Sequence, residues 1–297
     1  MSDLQTALTG ETPPLVTPFD ADGNVDHDAL AAVVDHVESN GVTGLFPCGT
    51  TGEFASLTDE EQLAVTETVV EVSSPDIPVV AGVSATAIDD AVAKAEAAAT
   101  AGADAAVLTP PFFHTSDDQT GIEEFFATVA DRSPLPIILY NIPVYVGTSL
   151  DTETVASLAE RPDVIGVKDS SGDLDYTLDL LRETPDDFLV LQGWDTLLVP
   201  GLRMGIDGGV NALANVVPEV FAVLVDEPES ERARAASDAI ADLFDVCLDV
   251  GFATASKAAL VQRGVIDSDA VRPPLSAVPE SAYDRIDEAV DDARDAI

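Results

Sequence analysis

Eight short runs of β-forming sequence recur along the first three-quarters of the chain, and most are followed by a stretch with helical period. The runs are Pro14–Thr17, Gly44–Pro47, Ile77–Ala81, Ala105–Thr109, Pro136–Tyr140, Val164–Lys168, Phe188–Leu191 and a weaker one at Gly208–Val210. Several are apolar almost throughout, which fits parallel strands covered on both faces and not strands with one wet face. Between them, Leu30, Val33, Val34 and Val37 share one helical face, as do Val65, Val69 and Val72. Thr58-Asp-Glu-Glu61 has the form of a capping box. Eight β-then-α units in about 225 residues predict an α/β fold, a (β/α)8 TIM barrel over residues 1–225. The rival is an open doubly wound sheet. Against it, the first run leads into TPFDADGN and not into a glycine fingerprint.

Residues 226–297 carry helical pattern and no strand run, which predicts a C-terminal helical extension packed on the barrel. Helices are expected over Ser230–Val250, Thr254–Arg263 and Pro279–Ala296, with Arg272-Pro-Pro274 as the linker before the last.

Composition narrows the class of function. There are 55 acidic side chains against 13 Lys plus Arg, a formal net charge of −42, and the acids are spread along the whole chain. Such a surface suits a salt-loving microbe, and it would repel nucleic acid and anionic membrane as partners. The two cysteines make neither a disulfide framework nor a metal site, and the three histidines lack zinc spacing. The start MSDLQTALTGETPP lacks the charged and apolar regions of a signal peptide, so a cytoplasmic location is expected.

In so acidic a chain the lysines are informative, and they number only three: Lys94, Lys168 and Lys257. Lys94 and Lys257 fall in alanine-rich helical sequence, whereas Lys168 closes the apolar run VIGVK. In a barrel the C-terminal ends of the strands form the active-site face. A lysine held among apolar neighbours there can supply a neutral amine that condenses with a ketone or aldehyde. The plain alternative is a strand-end lysine paired with Asp169 or Asp173.

Two further motifs stand at strand ends. Gly49-Thr-Thr-Gly-Glu53 offers backbone N–H groups and two hydroxyls suited to a carboxylate or phosphate, or else is a simple turn. Tyr140-Asn-Ile-Pro143 places a tyrosine at the barrel mouth, as a proton relay or as a buried phenol bonded to backbone. Cys48 precedes the threonine loop and reads as a packed strand-end thiol. The motifs close the second, fifth and sixth runs. All three therefore fall on one end of the proposed barrel.

GTTGE, YNIP and GVKDSSGD, in that order and spacing, resemble the dihydrodipicolinate synthase and N-acetylneuraminate lyase superfamily. The resemblance runs from the TPF near residue 17 through the helical tail. It implies a class I pyruvate-dependent lyase or aldolase with C-terminal helices, usually a homotetramer, needing no metal and no cofactor beyond the covalent Schiff base. By motif, it makes Lys168 the Schiff-base lysine and Tyr140 the proton-shuttling phenol, and it makes Gly49, Thr50 and Thr51 the loop that holds the pyruvate carboxylate. Gly193 in LQGWD and Val210 in GGVNALAN match positions lining the family's pocket.

The chain departs from the lysine-pathway synthases of that superfamily at two places. Phe113, in TPPFFH, stands where those enzymes usually carry a second tyrosine, and Tyr145 stands where an arginine usually follows YNxP. A tyrosine cannot replace a bidentate guanidinium clamp on a carboxylate. Both changes favour a partner substrate that is a neutral or phosphorylated sugar fragment, with Tyr145, Phe113 and His114 as candidate contacts. The expected reaction is cleavage of 2-keto-3-deoxygluconate or its 6-phosphate to pyruvate and an aldehyde. The alternatives are 4-hydroxy-tetrahydrodipicolinate synthase and a 2-keto-3-deoxy sugar acid dehydratase.

Overall fold

A computed structural model describes residues 2–114 and 118–297. Its strands are β1 (Gly10–Glu11), β2 (Val80–Gly82), β3 (Ala105–Leu108), β4 (Ile137–Asn141), β5 (Val164–Asp169), β6 (Leu189–Gln192) and β7 (Gly208–Gly209). They form one parallel sheet in the order β1-β7-β6-β5-β4-β3-β2. The segment Leu45–Phe46 closes the ring, bridging Pro14 on one side and Val79 on the other. Leu15 N–H donates to Phe46 O at 2.9 Å, and Val80 N–H donates to Leu45 O at 2.8 Å. The molecule is a (β/α)8 barrel.

Two of the expected strands are displaced. The first pairs at Gly10–Glu11, ahead of the expected Pro14–Thr17, and Gly44–Pro47 makes isolated bridges and not a regular strand. The cause lies in the prolines at 13, 14, 47 and 78, which crowd this part of the wall and supply no N–H to a ladder. The other six runs match observed strands to within three residues at either end.

Among the described residues, eight helices of seven or more residues surround the sheet: His27–Glu38, Asp59–Val72, Ile88–Ala101, Gln119–Arg132, Thr152–Ala159, Leu174–Glu183, Leu198–Met204 and Pro218–Asp226. Their starts follow from local chemistry. The Thr58 box closes as expected, with Glu61 N–H on Thr58 Oγ1 and Thr58 N–H on the Glu61 carboxylate, and Asp26, Asp118 and Asp173 cap three of the others. Three further helices follow at Glu231–Val250, Phe252–Gln262 and Glu280–Asp295. Their buried residues, among them Ile240, Phe244 and Ile286, share one apolar cluster with Val190, Leu198 and Phe221 of the barrel.

The barrel interior is a separate, smaller core of Leu8, Phe46, Val80, Val107, Ile138, Tyr140, Leu189, Leu191 and Val210. A short N-terminal helix, Asp3–Ala7, stoppers its lower end, where Gln5 Nε2 donates to the carbonyls of Ile165 and Asp187. The open end is therefore the C-terminal one, where the candidate residues lie.

Candidate active site

Lys168 lies one residue before the end of β5, and the β4–β5 register sets it directly beside Tyr140. Side chains alternate along a strand, so Tyr140 and Lys168 face inward while Asn141 and Asp169 face the helices. Lys168 is 3% exposed. Its Nζ lies 4.1 Å from the centre of the Tyr140 ring and 5.2 Å from that of Phe46. Among the described residues no carboxylate comes within ion-pair distance of it, so the expected alternative of a pair with Asp169 or Asp173 is not realised. Asp173 instead caps the next helix through the N–H groups of Asp175 and Tyr176.

Gly193 gives the lysine its passage. A Cβ at that position would stand 2.7 Å from Lys168 Cε and 2.1 Å from Ser170 Oγ, so any side chain there would displace the lysine or Ser170. Val210 closes the same interior wall with Leu191 and Phe46.

The threonine loop arrives from the opposite wall. Thr50 Oγ1 and Tyr140 OH share a hydrogen bond of 3.2 Å, joining the first motif to the second. The tyrosine is buried, and its partner is this side chain, not the backbone. Thr51 is buried next to it. Gly52 packs against the wall so closely that a Cβ would lie 2.8 Å from Leu15 O. Cys48 faces the helix layer, where Sγ lies 3.4 Å from Gln62 O and burial pushes the thiol up to about 12. It packs as expected and takes no part in the site.

Gly49, Thr50, Thr51, Tyr140, Lys168, Gly193 and Val210 are thus drawn to one end of the barrel interior. Phe113 and Tyr145 are not. Phe113 sits in the loop after β3 and Tyr145 in the one-turn helix Pro143–Val146 after β4, 87% and 64% exposed, with Val144 also exposed beside Tyr145. Phe113 has φ of 81° and stacks edge-on against His114, their ring centres 5.2 Å apart.

Behind the site lies a buried polar belt that sequence reasoning missed. Asp169 is the centre of this belt. Asp169 accepts from Asn141 Nδ2 (2.9 Å), Ser171 N (3.0 Å), Ser171 Oγ (3.0 Å) and Thr177 Oγ1 (3.2 Å). Burial raises its carboxyl, with these donors opposing. Gln192 joins Thr177 to Trp194 N–H, and Asn141 accepts from Leu150 N–H. Further round, burial drives the Glu11 carboxyl well above the ordinary range and Asp195 up to about 6. The available signal was period two: a polar residue directly following Tyr140, Lys168 and Leu191 points at the helices, not at water.

Among the described residues there is no cluster of three or more metal-ligating side chains. No helix is long and apolar enough to cross a membrane.

A lysine buried at the C-terminal end of a parallel barrel, between two aromatic rings and beside a tyrosine bonded to a threonine loop, is an arrangement able to condense with a ketone. Residues 7–293 match the dihydrodipicolinate synthetase family, and the chain belongs to it. Over 276 residues it is 39% identical to an uncharacterized DapA-like lyase of Halobacterium salinarum, covering 92% of this chain and 90% of that one. A 4-hydroxy-tetrahydrodipicolinate synthase of Natronomonas pharaonis is 38% identical over 241 residues, 80% of this chain and 81% of that one. Among solved structures, a prophage protein of E. coli K12 in the same family, in complex with pyruvate, superposes with a TM-score of 0.91. It is 29% identical, over 96% of this chain and 98% of that one. The protein is a pyruvate-dependent carbon–carbon lyase of class I. Enzymes of this family work through a lysine Schiff base and use no metal.

Proposed function

We propose that Lys168 is the Schiff-base lysine and that the enzyme cleaves a 2-keto-3-deoxy sugar acid, 2-keto-3-deoxygluconate or its 6-phosphate, to pyruvate and an aldehyde. The observation that carries the reading is the register pairing of Tyr140 with Lys168, which sets a phenol bonded to Thr50 beside an amine with no competing carboxylate. The loop Gly49–Thr51 holds the substrate carboxylate, so the keto carbon faces the amine. Attack of Nζ on that carbon and loss of water give a protonated imine. Tyr140, through Thr50, takes the proton from the hydroxyl on the β carbon. The bond between α and β carbons then breaks, its electron pair flows into the imine to give an enamine, and the aldehyde departs. Protonation of the enamine at the α carbon and hydrolysis of the imine release pyruvate and restore the amine.

Substrate choice rests on what the rim lacks. The loops after β3 and β4, residues 109–118 and 142–150, contain no lysine or arginine, so this chain offers no guanidinium there for the carboxylate of an amino-aldehyde. Phe113 and Tyr145, exposed outside the barrel interior, offer aromatic surface and a phenol in place of a cation. The second reading, 4-hydroxy-tetrahydrodipicolinate synthase, draws support from the name of the Natronomonas relative. A sugar-acid dehydratase shares the imine step.

The exposed apolar group Phe113, Val144 and Tyr145 supports association of copies around the rim, as the homotetramer of the resemblance implies. The acid excess and the archaeal relatives support a protein suited to molar salt, acting in the cytoplasm. Pyruvate release from 2-keto-3-deoxygluconate and its 6-phosphate, in molar potassium chloride, tests the reading. Release from either supports it, and the ratio of kcat/KM values assigns the phosphate. A borohydride adduct with pyruvate but no release from either substrate would favour the synthase or the dehydratase.

A further inference from the structure

The third lysine, Lys257, lies in the helix Phe252–Gln262 and is wholly buried, as is its partner Glu53, the last residue of GTTGE. Lys257 Nζ donates to the Glu53 carboxylate and to Ala270 O at 2.8 Å, and it lies 4.1 Å from the centre of the Phe19 ring. The other Glu53 oxygen accepts the Arg272 N–H at 3.0 Å. The Arg272 side chain then binds both oxygens of Glu61 (2.6 and 2.8 Å), Ser56 O (3.0 Å) and Gly23 O (2.8 Å), and its guanidinium lies 4.5 Å from the centre of the Phe19 ring. The segment read from sequence as a linker is thus a strap across the back of the threonine loop.

The pair does not face the substrate, and burying two charges gains little stability over an apolar pair of similar volume. It does fix direction. Glu53 has φ of 56°, a left-handed conformation that a non-glycine residue keeps only where its surroundings over-determine it. Two donors from the C-terminal segment supply that constraint, two residues beyond Thr51. On the barrel side, Thr17 Oγ1 holds Gly52 O at 2.8 Å, so the loop is pinned from both sides.

We propose that the segment Phe252–Arg272 is a clamp on the carboxylate-binding loop, with Glu53 and Lys257 as positioning residues for Thr50 and Thr51. The proposal rests on the pyruvate reading for its consequence, not for its geometry. The test is Glu53→Gln combined with Lys257→Met, which removes both charges together and leaves an acceptor for the Arg272 N–H. In molar potassium chloride, amide hydrogen exchange of residues 49–54 should quicken at least about ten-fold while β4 and β5 keep their protection. The pyruvate concentration that half-saturates borohydride trapping should rise by a similar factor, with the same adduct yield at saturation.

Loop exchange and half-saturation within two-fold of the parent protein would overturn the clamp. So would equal loss of protection in β4 and β5, which would make the pair a general stabiliser. A parent protein that traps no pyruvate would overturn the functional reading, and loop exchange would still judge the clamp. Should the double variant not fold, Glu53→Gln alone is read by the same two measurements.

Discussion

At the scale of single residues the site is a matter of which side chain stands next to which. Lys168→Ala is expected to abolish both turnover and the borohydride adduct with pyruvate, measured by mass spectrometry of the trapped protein; retained turnover would refute the assignment. Tyr140→Phe keeps the ring over which Nζ sits but removes the hydroxyl bonded to Thr50. It should keep the adduct and lower kcat by about 10²–10⁴-fold, the usual range for a lost proton relay. Asp195 gives a pH effect of definite sign. Its folded carboxyl lies near 6 against an ordinary 3.8, because burial penalises the charged form. The stability it contributes is therefore present below about pH 4 and is lost as pH rises through about 6. Asp195→Asn keeps an acceptor for the Leu213 N–H and should reduce the fall in urea midpoint between pH 4 and pH 7, by up to about 3 kcal/mol in unfolding free energy. An unchanged fall would place the effect elsewhere.

At the scale of elements the question is what holds strand ends in register. Asn141, Asp169 and Gln192 follow the inward residues of β4, β5 and β6, and their hydrogen bonds tie three adjacent strand ends and the helix Leu174–Glu183 together. Asp169→Ala would leave the buried Asn141 Nδ2 without its acceptor and remove one partner each from Ser171 and Thr177, at a cost of about 1–3 kcal/mol. Chemical unfolding reads that loss. Pyruvate trapping on the folded fraction should fall with it, because the residue before Asp169 is Lys168. Element identity was largely legible: runs of Val, Ile, Leu and Ala between capped helices admit few other readings, and the three tail helices lie where the period puts them. Strand edges were less so. Hydropathy does not record which carbonyl lacks a donor, so the proline-thinned wall at 13–14 and 45–47 looks, in sequence, like its regular neighbours.

At the scale of the whole molecule, charge dominates. A net charge of −42 on a chain of 297 residues is repulsive over a Debye length that grows from about 3 Å in molar salt to about 10 Å at 0.1 M. Dilution from 2 M to 0.1 M potassium chloride should lower Tm by roughly 5 °C or more, equivalent to about 2 kcal/mol for a chain of this size. A scan with no shift would mean that the acids are spaced too widely to repel. The exposed Phe113, Val144 and Tyr145 belong to this scale as well. Sedimentation in molar salt should find an assembly larger than one chain, and Phe113→Ser with Tyr145→Ser should shift it toward the single chain.

The sequence by itself determined the barrel, the end at which the candidate residues lie and the three motifs that meet there. Each depends on local order: period two, period 3.6, and short spacings that survive any arrangement of the rest. Only the tertiary structure decided that Tyr140 OH bonds Thr50 across 90 residues, that Asn141 reaches Asp169 across 28, and that Lys257 reaches Glu53 across 204. These are contacts between groups far apart in the chain. No local pattern encodes them, because the free energy that selects them comes from packing the helices onto the sheet, which buries some polar groups and compels each to find a partner. Lys257 and Lys168 differ in sequence by their setting, an alanine-rich helix against a strand end, but only the packing set which group each side chain meets, Glu53 for the one and the Tyr140 ring for the other.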